Sequence, residues 1–169
     1  HGVLAQVNPS AALTLNIDSV RAAGDLVASP GGALDFNLTR GSSLTGQASN
    51  AGHGTIDATS LWTLTGNSGI ASMRNDGTIA FAAPTGGGFK QFEVNGNYVA
   101  NAGHLMVNTA LGGDTSATDK LVVHGDTAGT TTVVVKNAGG KGALTSNGIE
   151  VVQVDGVSNG TFALGGRVV

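Results

Sequence analysis

The chain contains no cysteine, few charged residues and few aromatic ones, and each scarcity excludes a class of protein. Without cysteine it has neither disulfides nor thiol chemistry. Only eight residues are Lys or Arg, and they are scattered singly, so no basic patch is available for nucleic acid. No run of about 18 apolar residues occurs, which excludes a membrane-spanning helix within this sequence.

Glycine and apolar residues are abundant instead. The 169 residues include 28 glycines, and 40% of the chain is hydrophobic. A glycine-rich chain with little charge could be disordered, but its apolar residues alternate with polar ones, which favours packed β-structure with many tight turns. The length fits one domain. Because the chain begins at His1 inside a strand-like pattern, we expect it to be a segment of a longer polypeptide.

Apolar residues recur at intervals of 21 to 26 residues, the spacing of a stacked-repeat protein. One recurring position is occupied by Leu13, Leu34, Ile56, Ile79 and Leu105. The position two residues further on is occupied by Leu15, Phe36, Ala58, Phe81 and Val107. Side chains two residues apart share one face of a strand, so both columns are predicted to point into one core. The residues between them, including Asp35 and Asp57, are predicted to face outwards.

A second series of repeats runs beside the first. Gly46, Gly66 and Gly96 end three similar runs, in which Trp62 and Phe92 occupy matching places. The last interval is longer than the one before it, so extra residues must leave the repeat between the second and third runs. A solenoid tolerates such an insertion because each repeat contacts only its neighbours.

These repeats predict an all-β protein, a right-handed parallel β-helix whose coils stack about 4.8 Å apart. The extra residues fall on 82–88, AAPTGGG, where Pro and Gly predict a loop bulging from one coil. A leucine-rich repeat is rejected because its Leu-x-x-Leu-x-Leu-x-x-Asn pattern is absent and no segment has helical spacing. We therefore assign residues 1–111 to β-helix coils and residues 112–169 to a different segment.

Residues 112–169 do not continue the repeat and are predicted to form a hairpin-rich C-terminal cap. Leu121–His124 and Thr131–Lys136 are strand-like and are separated by a turn-like segment, which predicts a hairpin. Ile149–Val154 and Phe162–Leu164 predict two further strands. A β-helix ends in unpaired strand edges and an open core, so a non-repeating segment at one end is well placed to cover them.

The side chains predicted to form the folding core and its stacking are apolar and lie at inward strand positions. They are Leu34, Ile56, Trp62, Leu64, Ile79, Phe81, Phe92, Leu105, Leu121, Val123, Val133, Val135, Ile149 and Phe162. Trp62 has the same parity as Leu64, so it is predicted to stack inside the coils rather than form an exposed sugar platform. No residue is assigned to catalysis, to a cofactor or to a metal.

Two acidic residues support a weaker alternative. Asp35 and Asp57 would lie about 5 Å apart in one outward column, and glycosidases use two close carboxylates. Neither has a basic or aromatic companion in that column, so a solvated face is the favoured interpretation and a polysaccharide-acting enzyme the less supported one. The four histidines show no metal-ligand spacing.

From Leu61 to Arg167 the sequence resembles the C-terminal passenger region of the pertactin-like bacterial autotransporters. The motifs that carry the resemblance are Trp62…Gly66-Asn67-Ser68, Asn75-Asp76-Gly77-Thr78-Ile79-Ala80-Phe81, Val94-Asn95-Gly96-Asn97-Tyr98…Gly103-His104-Leu105, Leu111-Gly112-Gly113-Asp114-Thr115-Ser116…Thr118-Asp119-Lys120-Leu121, Asn137-Ala138-Gly139-Gly140-Lys141-Gly142, Gly148-Ile149-Glu150-Val151-Val152-Gln153-Val154 and Gly160-Thr161-Phe162-Ala163-Leu164. Met73 and Phe92 stand where that family usually has Leu. Residues 1–60 match only as a generic β-helix.

The resemblance implies an autochaperone, a segment that caps the passenger β-helix and promotes its folding during type V secretion across the outer membrane. It implies two partners in the same polypeptide, the upstream passenger coils and a downstream translocator β-barrel. It also implies a surface-exposed or secreted protein of a Gram-negative bacterium, without a cofactor, a nucleic acid or a small-molecule substrate. The alternative is an adhesin face on the outward columns that binds a host ligand. Long aromatic-rich loops would favour it, and this sequence has none.

Overall fold

The computed structural model describes residues 2–86 and 88–166, so the predicted boundaries at His1, Arg167 and Val169 lie outside the described residues. The described strands are β1 (Val3–Val7), β2 (Ala12–Asp18), β3 (Arg21–Ala23), β4 (Asp25–Ala28), β5 (Ala33–Thr39), β6 (Ser43–Thr45), β7 (Ala48–Ser49), β8 (Ala51–Ile56), β9 (Leu61–Leu64), β10 (Ser68–Asn75), β11 (Thr78–Phe81), β12 (Gln91–Val94), β13 (Tyr98–Thr109), β14 (Lys120–Val123), β15 (Thr127–Asn137), β16 (Val152–Val154) and β17 (Thr161–Leu164). Within the described ranges, no helix has the length and apolar character needed to cross a membrane.

These strands form the predicted parallel β-helix. Every pairing between them is parallel and joins a strand to the coil before or after it. Leu13 lies opposite Leu34, and Phe92 lies opposite Leu121, so the same arrangement holds near both ends of the chain. The right-handed sense of the coil stays a prediction.

The coils have three faces, named here in chain order. The first face contains β1, β4, β7, the start of β10, β12, β14 and β16. The second face contains β2, β5, β8, the end of β10 and the starts of β13 and β15. The third face contains β3, β6, β9, β11, the later parts of β13 and β15, and β17. Each coil therefore turns at three corners.

The interior is apolar because alternate residues of the strands point inwards. The predicted core residues that are buried are Leu34, Ile56, Trp62, Leu64, Ile79, Phe81, Phe92, Leu105, Leu121, Val123 and Val133. The predicted core residues that are half-buried are Val135, Ile149 and Phe162. These three lie near the C-terminal end of the stack, where fewer coils remain to cover an inward side chain.

The predicted register is right at some coil contacts and wrong at others. Ile79 lies opposite Leu105, as predicted. Ile56, however, lies opposite Leu38 and Asn75, not in the column assigned to it. The cause is a change of coil length. Paired residues are 21 positions apart between β2 and β5 but only 18 apart between β5 and β8, so a column drawn at a nearly constant interval crosses from one face to another.

Two further details of the predicted columns are wrong. Ala58, expected in the core, is exposed because it lies in a tight turn in which the amide of Ser60 donates to the carbonyl of Asp57. Gly96 is not equivalent to Gly46. Gly46 lies at the corner between the third and first faces, whereas Gly96 lies at the corner between the first and second.

The predicted hairpin between Leu121–His124 and Thr131–Lys136 does not form. β14 lies between β12 and β16, and β15 pairs with β13 and β17, all in parallel. Glycine turn residues between two apolar strands serve a β-helix corner as well as they serve a hairpin, so sequence alone could not separate the two. The description of the C-terminal segment as hairpin-rich is therefore wrong, and the parallel β-helix continues through it.

The corner from the third face to the first grows along the chain. It has one residue, Gly24, between β3 and β4, and three residues between β9 and β10. The last three coils have nine, ten and fourteen positions there, at 82–90, 110–119 and 138–151. The loop predicted at 82–88 lies in the first of these, with Gly87 outside the described residues. We call these three segments the long corner loops.

Candidate functional site: contacts between coils

A segment that helps a β-helix to fold acts through the contacts that one coil makes with the next. Trp62 lies at the centre of these contacts and is fully buried. Its ring packs edge-to-face against Phe36, with ring centroids 5.1 Å apart, and against Phe92, at 5.2 Å. Its indole N–H donates to the carbonyl of Gly46 at 3.1 Å. The sequence placed Trp62 and Phe92 at matching positions of the repeat, but the two residues lie on different faces and are not strand partners. Their rings nevertheless meet inside the coils.

A buried carboxylate joins three successive coils at the long corner loops. Asp119 is 0% exposed, and its carboxylate accepts the backbone N–H groups of Lys90 at 2.7 Å and Asn108 at 2.8 Å. The Asn108 side-chain amide donates to the same carboxylate at 2.6 Å and to the carbonyls of Phe81 and Ala82 at 3.1 and 3.3 Å. A buried carboxylate is costly unless it is hydrogen-bonded in this way, so Asp119 ties the loops to the coils.

Asp114 connects the second long corner loop to the third. Its carboxylate accepts the backbone N–H groups of Ser146 at 3.0 Å, Asn147 at 3.3 Å and Gly148 at 3.0 Å. The amide of Gly142 also donates to the carbonyl of Leu111 at 3.1 Å. The loops therefore stack on one another, as the strands do.

A line of polar side chains crosses the apolar core. The amide of Asn75 donates to the hydroxyl of Tyr98 at 3.0 Å and to the carbonyl of His104 at 3.1 Å. The Tyr98 hydroxyl lies 3.4 Å from that of Thr131, one coil further on. Burial raises the pKa of Tyr98, so its phenol stays protonated. Asn75 Oδ1 is buried without a hydrogen-bond partner among the described residues.

The two acids considered as a catalytic pair are both occupied by backbone groups. Asp35 accepts the N–H of His53 at 2.7 Å. Asp57 accepts the N–H of Arg40 at 2.6 Å and the hydroxyl of Ser60 at 2.7 Å. Burial raises the pKa of Asp57, but hydrogen bonds from Ser60, Arg40 and Thr59 outweigh burial and lower that pKa to about 2. Both carboxylates thus connect coils, and no three His, Asp or Glu groups in residues 2–86 and 88–166 are grouped to hold a metal ion.

Sequence reasoning identified the apolar contacts but missed the polar ones. Asn75 lies two residues after the buried Met73 and therefore on the same inward face of its strand. A polar residue at an inward position is the feature of the sequence that could have indicated a buried hydrogen-bond network. Tyr98 is the only tyrosine, and Asp119 lies within one of the motifs that carry the resemblance. Nothing in the sequence shows that Asp119 would be fully buried, because its donors, Lys90 and Asn108, come from other segments of the chain.

Both ends of the stack expose residues that point along the core. Leu13 lies opposite the buried Leu34 and is itself 40% exposed, because β2 pairs only with β5 among the described residues. Leu164 lies opposite Val133 and is 58% exposed at the other end. Inward side chains such as Leu34 and Val133 are therefore buried where described coils lie on both sides of them.

Known autotransporter proteins match part of this chain. The chain is 51% identical over 92 residues to the adhesin BmaC autotransporter of Brucella suis biovar 1 (strain 1330), which covers 54% of this chain and 3% of that protein. It is 43% identical over 107 residues to the uncharacterized protein YuaQ of Escherichia coli (strain K12), covering 62% and 8%. It is 40% identical over 74 residues to the autotransporter adhesin AIDA-I of Escherichia coli, covering 43% and 6%.

The chain thus spans less than a tenth of the length of each of these three relatives. No solved structure matches it. The family model described as Autochaperone Domain Type 1 matches residues 68–169, well over half of the chain, and this range holds Tyr98, Asp119 and the long corner loops. The chain belongs to the autochaperone family of the bacterial autotransporters.

Proposed function

We propose that this chain acts as the autochaperone of an autotransporter passenger by offering a folded edge on which the preceding coils assemble. The observation that carries the proposal is the parallel pairing of each described coil with the next, in a chain that belongs to the autochaperone family. β5 pairs along its length with β2 of the coil before it, and its inward side chains Leu34 and Phe36 are fully buried between coils. An incoming coil would gain backbone hydrogen bonds and bury apolar side chains in one step.

The proposed order of events follows from this geometry. The C-terminal coils fold first, and each newly folded coil becomes the template for the coil that precedes it in sequence. In a linear array each coil interacts only with its neighbours. The first coils must therefore order without a folded neighbour, which is costly, whereas each later coil adds to an edge that is already folded. The contacts of Asp119 and the stack around Trp62 lower the nucleation cost by holding several coils together at once.

The family also places the protein in the cell. Autotransporters are exported by Gram-negative bacteria, and we place this chain in the passenger at the cell surface or outer membrane. Its partners would be the upstream passenger coils and a downstream translocator β-barrel in the same polypeptide. The autochaperone family is not an enzyme family, and we assign this chain no catalytic step.

The test removes the template from the full-length protein. Deleting residues 121–164 should leave the barrel inserted but the passenger stalled or protease-sensitive. The matched control deletes residues 44–61, one coil by the pairing of Leu44 with Trp62, which shortens the stack without removing its C-terminal coils. Supplying residues 121–164 as a separate polypeptide should partly restore protease resistance. A deleted passenger that reaches the surface at the normal rate and resists protease would refute the proposal.

A second candidate function is adhesion, and the long corner loops favour it. Insertions at one corner of a solenoid form a continuous surface that often binds ligands, and Leu144 in the last loop is fully exposed. The names of two relatives describe adhesins. Replacing residues 138–148 by a short glycine-serine linker in the full-length protein should then reduce binding to host cells without reducing surface display. Unchanged binding would remove this candidate.

A further inference from the structure

One corner of the β-helix repeats a Gly-Asx dipeptide, that is Gly-Asn or Gly-Asp, in successive coils. Gly96-Asn97 and Gly125-Asp126 both lie between the first and second faces. Asn97 Oδ1 accepts the N–H of Asp126 at 2.9 Å, and Asp126 Oδ1 accepts the N–H of Val157 at 2.8 Å. Each side-chain oxygen thus caps the amide at the equivalent place of the next coil.

The glycines of these dipeptides bring the coils close together. A Cβ on Gly125 would lie 2.5 Å from the carbonyl carbon of Gly96, and a Cβ on Gly156 would lie 2.4 Å from the carbonyl oxygen of Gly125. Both distances are too short for a real side chain, so this column accepts only glycine. The N–H of Gly125 also donates to the carbonyl of Gly96 at 3.1 Å.

The corner between the third and first faces uses the same device. Asp25 follows Gly24 and accepts the N–H of Gln47 at 3.1 Å. Asn67 follows Gly66 and accepts the N–H of Gln91 at 2.9 Å. The capping oxygen lies on the earlier coil in every case, so an incoming coil would carry the group that recognises the folded edge.

We propose that these Gly-Asx dipeptides determine the register in which one coil adds to the next. The apolar core cannot do this alone, because a slip of two residues keeps every inward side chain inward. Such a slip would move the Asx oxygen by about 6.6 Å, out of hydrogen-bond reach. It would also bring Val123 or Thr127, each with a Cβ, against the carbonyl of Gly96. The proposal rests on the templating function and names the residues that make templating specific.

The absence of native cysteine allows a direct test in the 169-residue chain. Val99 lies opposite Ala128, so the pair Val99→Cys and Ala128→Cys reports the native register. Val99→Cys with Thr130→Cys reports a slip of two residues. Disulfides form only when the Cα atoms are within about 7 Å. Directly paired strands meet this limit at about 4.8 Å, and diagonal positions at about 8 Å do not.

With the native corner, only the first pair should cross-link on oxidation. Asn97→Ala removes one hydrogen bond that only the native register makes. It should therefore raise the yield of the slipped pair about tenfold, which is the upper end of the effect that one hydrogen bond has on such an equilibrium. Asn97→Asp keeps the capping oxygen and should restore the native pattern. Asp155→Ala is the matched control, because the Asp155 carboxylate accepts from the side chains of His124 and Gln153 and caps no backbone amide of a neighbouring coil among the described residues.

Two results would overturn the proposal. In one, Asn97→Ala still cross-links only through the native pair. In the other, it unfolds without giving the slipped product, which would make the corner bond merely stabilising. The assay involves no secretion, so it is separate from the deletion experiment. If slipped cross-links form but the deleted passenger is secreted and folded normally, the register role stands and the autochaperone function fails.

Discussion

Trp62 fills the centre of the core between two phenylalanine rings, which makes it the single residue whose loss should cost most. Trp62→Ala is expected to lower the free energy of unfolding by about 3–5 kcal/mol, the range for large-to-small changes in a packed core. Denaturant unfolding followed by circular dichroism measures this loss. Val99→Ala, a change at an exposed position, serves as the control and should cost far less.

Native fluorescence tests the placement of Trp62 independently. Because Trp62 is the only tryptophan and is fully buried, its emission should be blue-shifted in the folded chain and move to the red on unfolding. A red-shifted native spectrum with full quenching by iodide would contradict the burial and revive the idea of an exposed sugar platform.

The lowered pKa of Asp57 predicts that the free energy of unfolding depends on pH in the acid range. Its pKa in the folded chain is about 2, below the ordinary value of 3.8, so the folded state favours the charged form. The stabilisation is therefore complete above pH 3.8 and is lost as the pH falls through about 2. Comparing the unfolding of the native chain with that of Asp57→Asn should show a difference that shrinks between pH 4 and pH 2. A constant difference over that range would mean that another group holds the turn.

Single residues also show what sequence could and could not foresee. The parity rule placed Trp62 inside, because alternation is a local property of a strand. It did not foresee the buried Asn75 or Asp119, because a polar group is satisfied inside a protein only by partners brought from distant segments. Their roles depend on the register between coils, and the alternation of apolar and polar residues within one strand does not specify that register.

At the scale of elements, strand positions were predictable and strand partners were not. The segments Leu121–His124 and Thr131–Lys136 largely coincide with β14 and part of β15, yet they pair with other coils rather than with each other. The turn between them changes the chain direction at a corner instead of reversing it. Glycine, asparagine and aspartate favour both outcomes, so only the stacked corner contacts decide between them.

The bend within β13 gives a prediction about an element. The register shifts between Ala100 and Gly103. Ala102 lies in this bend and has a φ of +56°, a conformation that is unfavourable for residues other than glycine. Ala102→Gly should relieve about 1–2 kcal/mol of backbone strain and lose about 0.5–1 kcal/mol through chain entropy. The melting temperature should therefore rise slightly. Ala128→Gly, in β15 where φ is negative, is the control and should lower it. A lower melting temperature for Ala102→Gly would show that the bend carries no strain.

At the scale of the whole molecule, the coils lengthen from the middle of the stack towards the C-terminus. Paired residues are 18 positions apart between Leu44 and Trp62 but 31 apart between Leu121 and Val152. The added residues lie mainly in the long corner loops, which Asp114 and Asp119 hold together. Sequence revealed the first of these insertions through its proline and glycines. It did not reveal that all three share one corner, because that follows only from the stacking.

This asymmetry predicts the order in which the molecule opens. The pairing of β13 with β15 includes ten opposed residue pairs between Tyr98 and Asn137. Leu105 in β13 and Leu121 in the neighbouring β14 are fully buried. Hydrogen exchange monitored by mass spectrometry should therefore find the slowest amides in residues 105–135. The strands β1, β2 and β3 should exchange first, because each pairs on one side only among the described residues and Leu13 is 40% exposed.

The last coil gives the decisive comparison for this order. Among the described residues β16 and β17 also pair on one side only, so they should exchange faster than β13. They should exchange more slowly than β1 to β3, because Asp114 fixes the third loop and Asp126 fixes the last corner to the coil before. Folding by templating requires the C-terminal half to outlast the N-terminal half. If β16 and β17 lost protection first and the coils before Leu64 persisted, the chain would nucleate from its N-terminal end, and the edge it offers would not be the one on which preceding coils assemble.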